Sequence, residues 1–516
     1  MGSIQSVIAV LVALAAVLVY ARFRRASRSP LPPGPSGEPI FGHLRIIPAS
    51  NPERAYQNWS RDFNSDVIHF NVLNQEIIVL NSAKAAVDLL DKRGGNYCDR
   101  PNFTLFETMG WKYTLTFLRW GPHFQKHRKL LQGYFTKRNV EAFRELQVSE
   151  ARILVKNLIE KPEAYGNLIR RFASAIVMGI AFGYRITSDQ DRYVQIGADA
   201  SYAISHAGAP GGTPVDFFPL LRHLPDWLPR PSSLKFARKW RWAIEQLYEV
   251  PFAAVQEQMR QGTAPPSFIL PLLEDVNACA EKGIDPDMKP ADIKGAAGAI
   301  YIAGQDTTWA TLTVFLLNMV LHPAVQLKAQ NELDSILGFD RLPTLEDRVS
   351  LPYIERVLQE TFRWHPVSPL GVPHKSLDDD IYQGMFIPKG SLVFANALSM
   401  CHDEAIYKEP TLFNPDRYAP ISEGGNGEPL PVGHFGFGRR ICVGRHLAES
   451  TLWIAIATIL ATLAIGKEIG PDGKEIPPNL AFTAGLTSHP EAFKCTIRAR
   501  SKHAEAVVMS AVAAAG

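Results

Sequence analysis

Ten residues constrain this chain more than any other part of it. Phe435-Gly436-Phe437-Gly438-Arg439-Arg440-Ile441-Cys442-Val443-Gly444 runs directly into an apolar helical pattern over residues 446–463. A cysteine at the mouth of a helix meets free backbone N–H groups and the positive end of the helix dipole, and both favour the thiolate. Gly438 and Gly444 carry no side chain, so backbone can come close to a flat body. Arg439 and Arg440 offer guanidinium forks for carboxylates. The segment reads as a loop that presents a thiolate to a planar, dianionic ligand, and haem fits that description. At this composition the spacing Phe-x-x-Gly-x-Arg-x-Cys-x-Gly arises by chance in roughly one chain of this length in ten thousand.

The rest of the chain has to supply a body around that loop. Of its 516 residues 46% are apolar and 20% charged, which excludes a mostly disordered, collagen-like or multi-span membrane protein. The net charge of +3 argues against a nucleic-acid protein held by a broad basic field. The five cysteines (98, 279, 401, 442 and 495) are few, odd in number and scattered, which favours a reducing compartment over a disulfide scaffold.

Residues 4–20 are almost wholly apolar, and as a helix they span about 26 Å. Arg22, Arg24, Arg25 and Arg28 follow, with no acid before Glu38. The positive-inside rule then predicts a single transmembrane helix with a luminal N-terminus and a cytoplasmic body. Residues 1–21 read as the anchor and 22–39 as a basic, Pro-rich linker whose Pro30-Leu-Pro-Pro-Gly-Pro35 is a stiff spacer. No linker divides residues 40–498, so one large domain is expected there, with an Ala-rich tail at 499–516 left unassigned. Periodicity predicts helices near residues 140–160, 164–182, 233–261, 290–321, 324–337, 353–364 and 444–463. Strands are expected at 67–72 and 77–80 as a hairpin, with a second sheet region at 381–383, 385–387 and 391–395. The fold class is mainly α with smaller β-sheets.

Two further segments carry chemistry. Ala303-Gly304-Gln305-Asp306-Thr307-Thr308 is expected to open the long helix locally, because Gly304 lacks a side chain and Thr307 can bond back to a carbonyl. An acid beside an alcohol can relay protons. Glu360-Thr-Phe-Arg363 puts opposite charges at i and i+3 on one helical side, a weak signal by itself.

With these segments the chain resembles the cytochrome P-450 family, from the Pro-rich spacer through residue 463 and beyond, and most closely its fungal microsomal members of secondary metabolism. The resemblance implies the cytochrome P-450 fold and a haem (iron protoporphyrin IX) whose axial ligand is Cys442, held in the loop of Phe435, Gly438 and Gly444. It implies proton delivery and dioxygen hydrogen bonding by Asp306 and Thr307. It pairs Glu360 and Arg363 with Arg417 of Pro415-Asp-Arg417-Tyr418 as a structural network. Arg440, His374 and Arg128 are the expected propionate donors. Here the sequence departs from the family: Trp-Arg-x-x-Arg is replaced by Phe124-Gln125-Lys126-His127-Arg128, leaving Gln125, Lys126 or His123 to substitute. Family position assigns the pocket to Phe103, Phe106, Met109, Trp111, Ala303, Val367, Leu370, Val372, Leu486 and Thr487, a mostly apolar wall for a lipophilic small molecule. The apolar segment at 215–229 is expected either to form a membrane-facing entrance or to pack in the core.

The implied activity is a membrane-anchored monooxygenase of the endoplasmic reticulum. It would take electrons from NADPH through a reductase, with cytochrome b5 as an optional second donor. Lys126, Arg128, Lys129, Lys137 and Arg138 form either a docking face for an acidic reductase or a solvated surface. The rival reading is a haem-thiolate isomerase or dehydratase needing neither dioxygen nor reductase, and the intact Asp306-Thr307 pair weighs against it.

Overall fold

The longest apolar stretch inside the body becomes the helix around which the rest is packed. In the computed structural model this helix, Pro290–Leu321, starts with proline at its first turn and Asp292 beside its positive end. It is buried on nearly every side from Ile293 to Val320, as an apolar helix without a polar face must be. The Tyr165–Phe182, Arg192–His206, Ser232–Arg260 and Arg445–Thr462 helices pack against it or against one another. Arg445–Thr462, the helix entered from the cysteine loop, is itself fully buried along most of its length.

The structure describes residues 29–514 except 40, 49, 209 and 210. The expected anchor at residues 1–21 therefore lies outside the described residues. Among the described residues no single helix is long and apolar enough to cross a membrane.

Val67–Val72 and Gln75–Leu80 form the expected hairpin, turned by Leu73 and Asn74 with φ of 46° and 68°. Leu392–Ala395 adds to it in parallel, and His374–Lys375 pairs with the far side of Leu392–Ala395. The two expected sheet regions are thus partly one sheet. Only Asp380–Tyr382 and Met385–Ile387 stand apart, as a hairpin of their own. A third sheet of Leu463–Ile469, Glu475–Ile476 and Cys495–Ala499 has no counterpart in the sequence reading. The Pro-rich spacer lies against the body: the carbonyls of Pro33 and Pro30 accept from the amides of His69 (3.0 Å) and Phe386 (2.7 Å). The Ala-rich tail folds as the helix Lys502–Ala513, capped by Ser501 and docked through the buried Val508. The expected helix over 140–160 starts instead at Arg144, because Thr136 caps a separate turn at Lys137–Val140.

A buried charge network ties the Pro352–Trp364 helix to the loops that lead to the cysteine. The Glu360 carboxylate accepts from Arg363 Nε and Nη2, both at 2.8 Å, and from Arg417 Nε at 3.0 Å. Tyr418 Oη and the Asn414 amide complete its shell at 2.8 Å each. Glu428 supplies the second anion, 2.6 Å from Arg417 Nη1. The side chains of Glu360, Arg363 and Arg417 are fully buried, so every charge needs its partner. The remaining guanidinium N–H groups donate to the carbonyls of Cys401, Lys408, Glu409, Pro410 and Leu412. Removing one anion from the network leaves a buried cation, at a cost of about 3–5 kcal/mol. Glu428→Gln and Glu360→Gln should each lower stability by that amount in chemical unfolding. Glu423→Gln, which breaks only a surface pair with Arg356 in the same loop, should cost under about 1 kcal/mol.

Candidate active site

The loop before the Arg445–Thr462 helix turns twice through left-handed glycines, Gly436 at φ 73° and Gly438 at φ 54°. A Cβ on Gly438 would overlap the Leu90 carbonyl oxygen, and its amide donates to Asp91. Gly438 therefore seats the loop on the π-helical turn Val87–Lys92, and its freedom serves packing within the protein. The Cys442 amide donates to the Phe435 carbonyl at 2.9 Å, closing the loop on itself. Phe435 packs its ring against Phe362 and His434.

Cys442 is solvent-accessible although it is set deep among protein atoms. Burial pushes its thiol up, against the lowering effect of the Gly444 N–H, Arg128 and Arg445. The helix mouth is thus weaker here than the sequence suggests: the first helical residue is Arg445, and the Gly444 N–H lowers the thiol less than burial raises it. A bound metal cation deprotonates a coordinating thiol outright, so this does not oppose ligation.

Three basic groups converge on residues 97–100. The Tyr97 carbonyl accepts from His374 Nδ1 at 2.7 Å, and the Cys98 carbonyl accepts from Arg440 Nε at 2.7 Å. Arg100 donates from Nη1 to the carbonyls of Val372 (2.5 Å) and Pro373 (2.9 Å). Arg440 also donates to the Leu118 carbonyl and lies over the Phe124 ring, 3.6 Å from its centroid. Its Nη2 is buried with no partner. Burial pushes Arg440 down to about 10, helped by Arg128 and opposed by Asp99, and burial with the Arg440 charge pushes Arg100 well below its usual range, again against Asp99. Burial and both arginines push His374 the same way. Asp99, the nearest acid, is already held by Arg119 and the Trp120 amide. A buried cluster of cations with an orphaned N–H donor fits the carboxylate edge of a haem. Arg100 escapes a sequence reading, because an arginine between an acid and a proline carries no pattern.

Arg128 reaches the Ile441 carbonyl (2.5 Å), next to the cysteine, and burial pushes it down. It supports the loop from the side of Cys442, and its charge is felt by Arg440. The expected substitutes for the missing Trp-Arg turn elsewhere: His123 pairs with Asp292 at 2.7 Å and Lys126 with Asp287 at 3.0 Å.

The acid–alcohol segment does not open the helix, which is continuous from Pro290 to Leu321. Gly304 serves close packing instead, since a Cβ there would overlap Val177 of the neighbouring helix. Thr307 Oγ1 does donate back to the Ala303 carbonyl, at 2.7 Å. Ala303 and Thr307, one turn apart, are the accessible face of a helix otherwise buried around them. Asp306 points the other way. Its oxygens accept from Ser201 Oγ and Thr487 Oγ1, each at 2.7 Å, and Arg170 is the cation that feels its charge. Thr487 is therefore a partner of Asp306 and not pocket wall.

The other pocket residues divide. Phe103, Phe106 and Met109 are almost fully buried, with the two phenyl rings packed on Phe117 at 5.3 and 4.9 Å, and Phe103 also borders a cavity with Trp111 and Phe117. Val367, Leu370 and Val372 stay partly accessible. They lie in a stretch tied to residues 486–488 by Ser368 Oγ to the Leu486 carbonyl (3.0 Å) and the Ser488 amide to the Val367 carbonyl (2.8 Å). Leu486 itself is buried. In the 215–229 segment Leu220 and Trp227 are 84% and 80% exposed, which is not core packing.

The sequence matches the family model for cytochrome P450 over residues 32–496. It is 36% identical to a cytochrome P450 monooxygenase of Armillaria gallica, covering 93% of this chain and 94% of the relative. A second, from Postia placenta, is 38% identical over 94% of this chain and 92% of the relative. A tryptamine 4-monooxygenase of Psilocybe cyanescens is 34% identical over 96% and 98%.

Removing a charge-assisted donor from the basic cluster should loosen haem. Arg440→Leu should weaken haem retention on the order of tenfold, read as haem per protein after dilution and gel filtration. Arg439→Leu, whose side chain is exposed over Trp120, should leave it unchanged.

Proposed function

The chain belongs to the cytochrome P450 family of monooxygenases, and from that premise we propose that it is a membrane-anchored enzyme of fungal secondary-metabolite biosynthesis that hydroxylates a lipophilic small molecule. Haem, the family's cofactor, supplies dioxygen activation and oxygen transfer when thiolate-ligated. Cys442 is the residue that would hold its iron, and Arg440, Arg100 and His374 would hold its carboxylates. The observation that carries this reading is the coincidence of an accessible Cys442 with a buried cluster of basic side chains in which Arg440 Nη2 has no partner.

The remaining residues have distinct work. Thr307 presents a hydroxyl on the accessible helix face; turning it away from the Ala303 carbonyl frees it to donate to a bound group. Asp306 holds a proton acceptor one residue along, clamped by Ser201 and Thr487. To pass a proton toward Thr307 its carboxylate has to leave at least one of those hydroxyls. Ala303, Val367, Leu370 and Val372 offer apolar contact, which supports a neutral, lipophilic substrate. The tryptamine named for one relative is an amine, and those four side chains carry no acid to pair with one.

Electrons come from NADPH through a reductase in this reading. A depression of about 600 Å³ on the outer side of the cysteine loop, lined by Lys129, Arg128, Arg439 and Trp120, supports docking there. Residues 4–20 and the arginines after them support single-pass insertion in the endoplasmic-reticulum membrane, N-terminus luminal. The exposed Leu220 and Trp227 support contact of the body with the same membrane.

Microsomes from yeast expressing the chain with a reductase, screened against candidate scaffolds under ¹⁸O₂, should give a product carrying one ¹⁸O atom and formed only with NADPH. Product formed without NADPH or dioxygen would establish the isomerase or dehydratase instead.

A further inference from the structure

His123 and His127 stand one turn apart on the Pro122–Tyr134 helix, so both imidazoles lie on the same face. Opposite them is Asp292, in the first turn of the Pro290–Leu321 helix. His123 Nε2 is 2.7 Å and His127 Nε2 3.1 Å from the same oxygen, Asp292 Oδ1. All three ligating atoms lie within 4.8 Å of one another. Two imidazoles and a carboxylate that meet at one point are a recurrent ligand set for first-row divalent ions.

We propose that His123, His127 and Asp292 form a binding site for a divalent transition-metal ion, with Zn(II) as its ordinary occupant. Ligand bonds of about 2.0–2.1 Å in tetrahedral geometry need ligand atoms about 3.3 Å apart. The two separations from Asp292 Oδ1, 2.7 and 3.1 Å, are both shorter than that, and the larger change falls to the His123 side chain, which is 46% exposed and can make it. The His127 side chain is fully buried and Asp292 is 15% exposed, so two ligands are fixed and the third closes from solvent. That arrangement gives the ion an entry path and leaves its fourth position to water.

His127 Nε2 now gives its proton to Asp292, so an ion displaces that proton, and Nδ1, buried without a partner, is the ring nitrogen left protonated when Nε2 ligates. Lys126 is turned to Asp287, 3.0 Å away.

An ion here would clip together the two helices that flank the active site. The first carries Phe124, under the Arg440 guanidinium, and Arg128, on the Ile441 carbonyl. The second carries Ala303 and Thr307.

The test uses the haem-loaded enzyme, stripped with a chelator, desalted and titrated with zinc chloride by calorimetry, with retained zinc counted by mass spectrometry. One zinc per chain is expected, together with an unfolding temperature that rises with zinc. Loss of a ligand costs at least what loss of an outer partner does, about 10–100-fold in affinity. His123→Ala and Asp292→Asn should each show that loss and abolish the zinc-dependent rise, with haem content unchanged. Wild-type protein that binds no zinc at hundreds of micromolar overturns the proposal, leaving a structural ion pair. So does a His123→Ala variant that binds zinc as the wild type does.

Discussion

The Glu360 carboxylate, shared between two buried guanidiniums, is the interaction on which the active site depends. Its helix lies far in sequence from the cysteine, and the loops at residues 402–434 hold only short helical turns. Arg363 and Arg417 each give some N–H groups to the carboxylates and the rest to five loop carbonyls between residues 401 and 412. Those carbonyls would otherwise be buried and unpaired. The network brings little net stability, because desolvating four charges offsets most of their attraction. What it supplies is a unique path for the chain that arrives at Phe435. Glu428 completes the charge balance from the far end of that path.

A second constraint lies at the other edge of the site. The stretch 97–100 takes His374 and Arg440 on its backbone carbonyls and adds Arg100, while its one acid, Asp99, is bonded to Arg119 and the Trp120 amide. Such a cluster is electrostatically costly by itself, which the depressed Arg440 and Arg100 register. The cost makes sense when an anion binds there. It also accounts for the tolerated loss of the family's Trp-Arg pattern at Phe124 and Gln125. The Phe124 ring now serves as a platform for Arg440, and Arg100 adds a cation from another segment.

The long, strongly periodic helices were legible, because an apolar stripe or a fully apolar run has one way to be buried. Pro290–Leu321 appears with the bounds that periodicity predicts. Short elements whose existence depends on distant partners were not. The Leu463–Ile469 strand forms because Cys495–Ala499 returns beside it, and the C-terminal helix is pinned by a buried Val508. Within the site, contacts between closely spaced residues were legible: Glu360 with Arg363, and Thr307 with its back-bonded hydroxyl. Roles assigned by position were less so. Phe103, Phe106 and Met109 turned out to be almost fully buried, Gly304 a packing contact, and Arg128 a support for the cysteine loop. Arg100 and Glu428 have no local signature, since each matters only through the charges that folding brings to it.

These parts describe one arrangement: a loop fixed by buried charge, a thiol at its end, and cations placed for a dianionic ligand. In the proposed function, everything in that arrangement serves the ligation of haem iron by Cys442. The most direct measurement is the reduced carbon-monoxide difference spectrum of the full chain in microsomes. The wild type should show the strongly red-shifted Soret band of thiolate ligation, and Cys442→Ser should lose it while the protein is still made. A wild-type band at the position of histidine ligation, or an unchanged band in Cys442→Ser, would contradict the account.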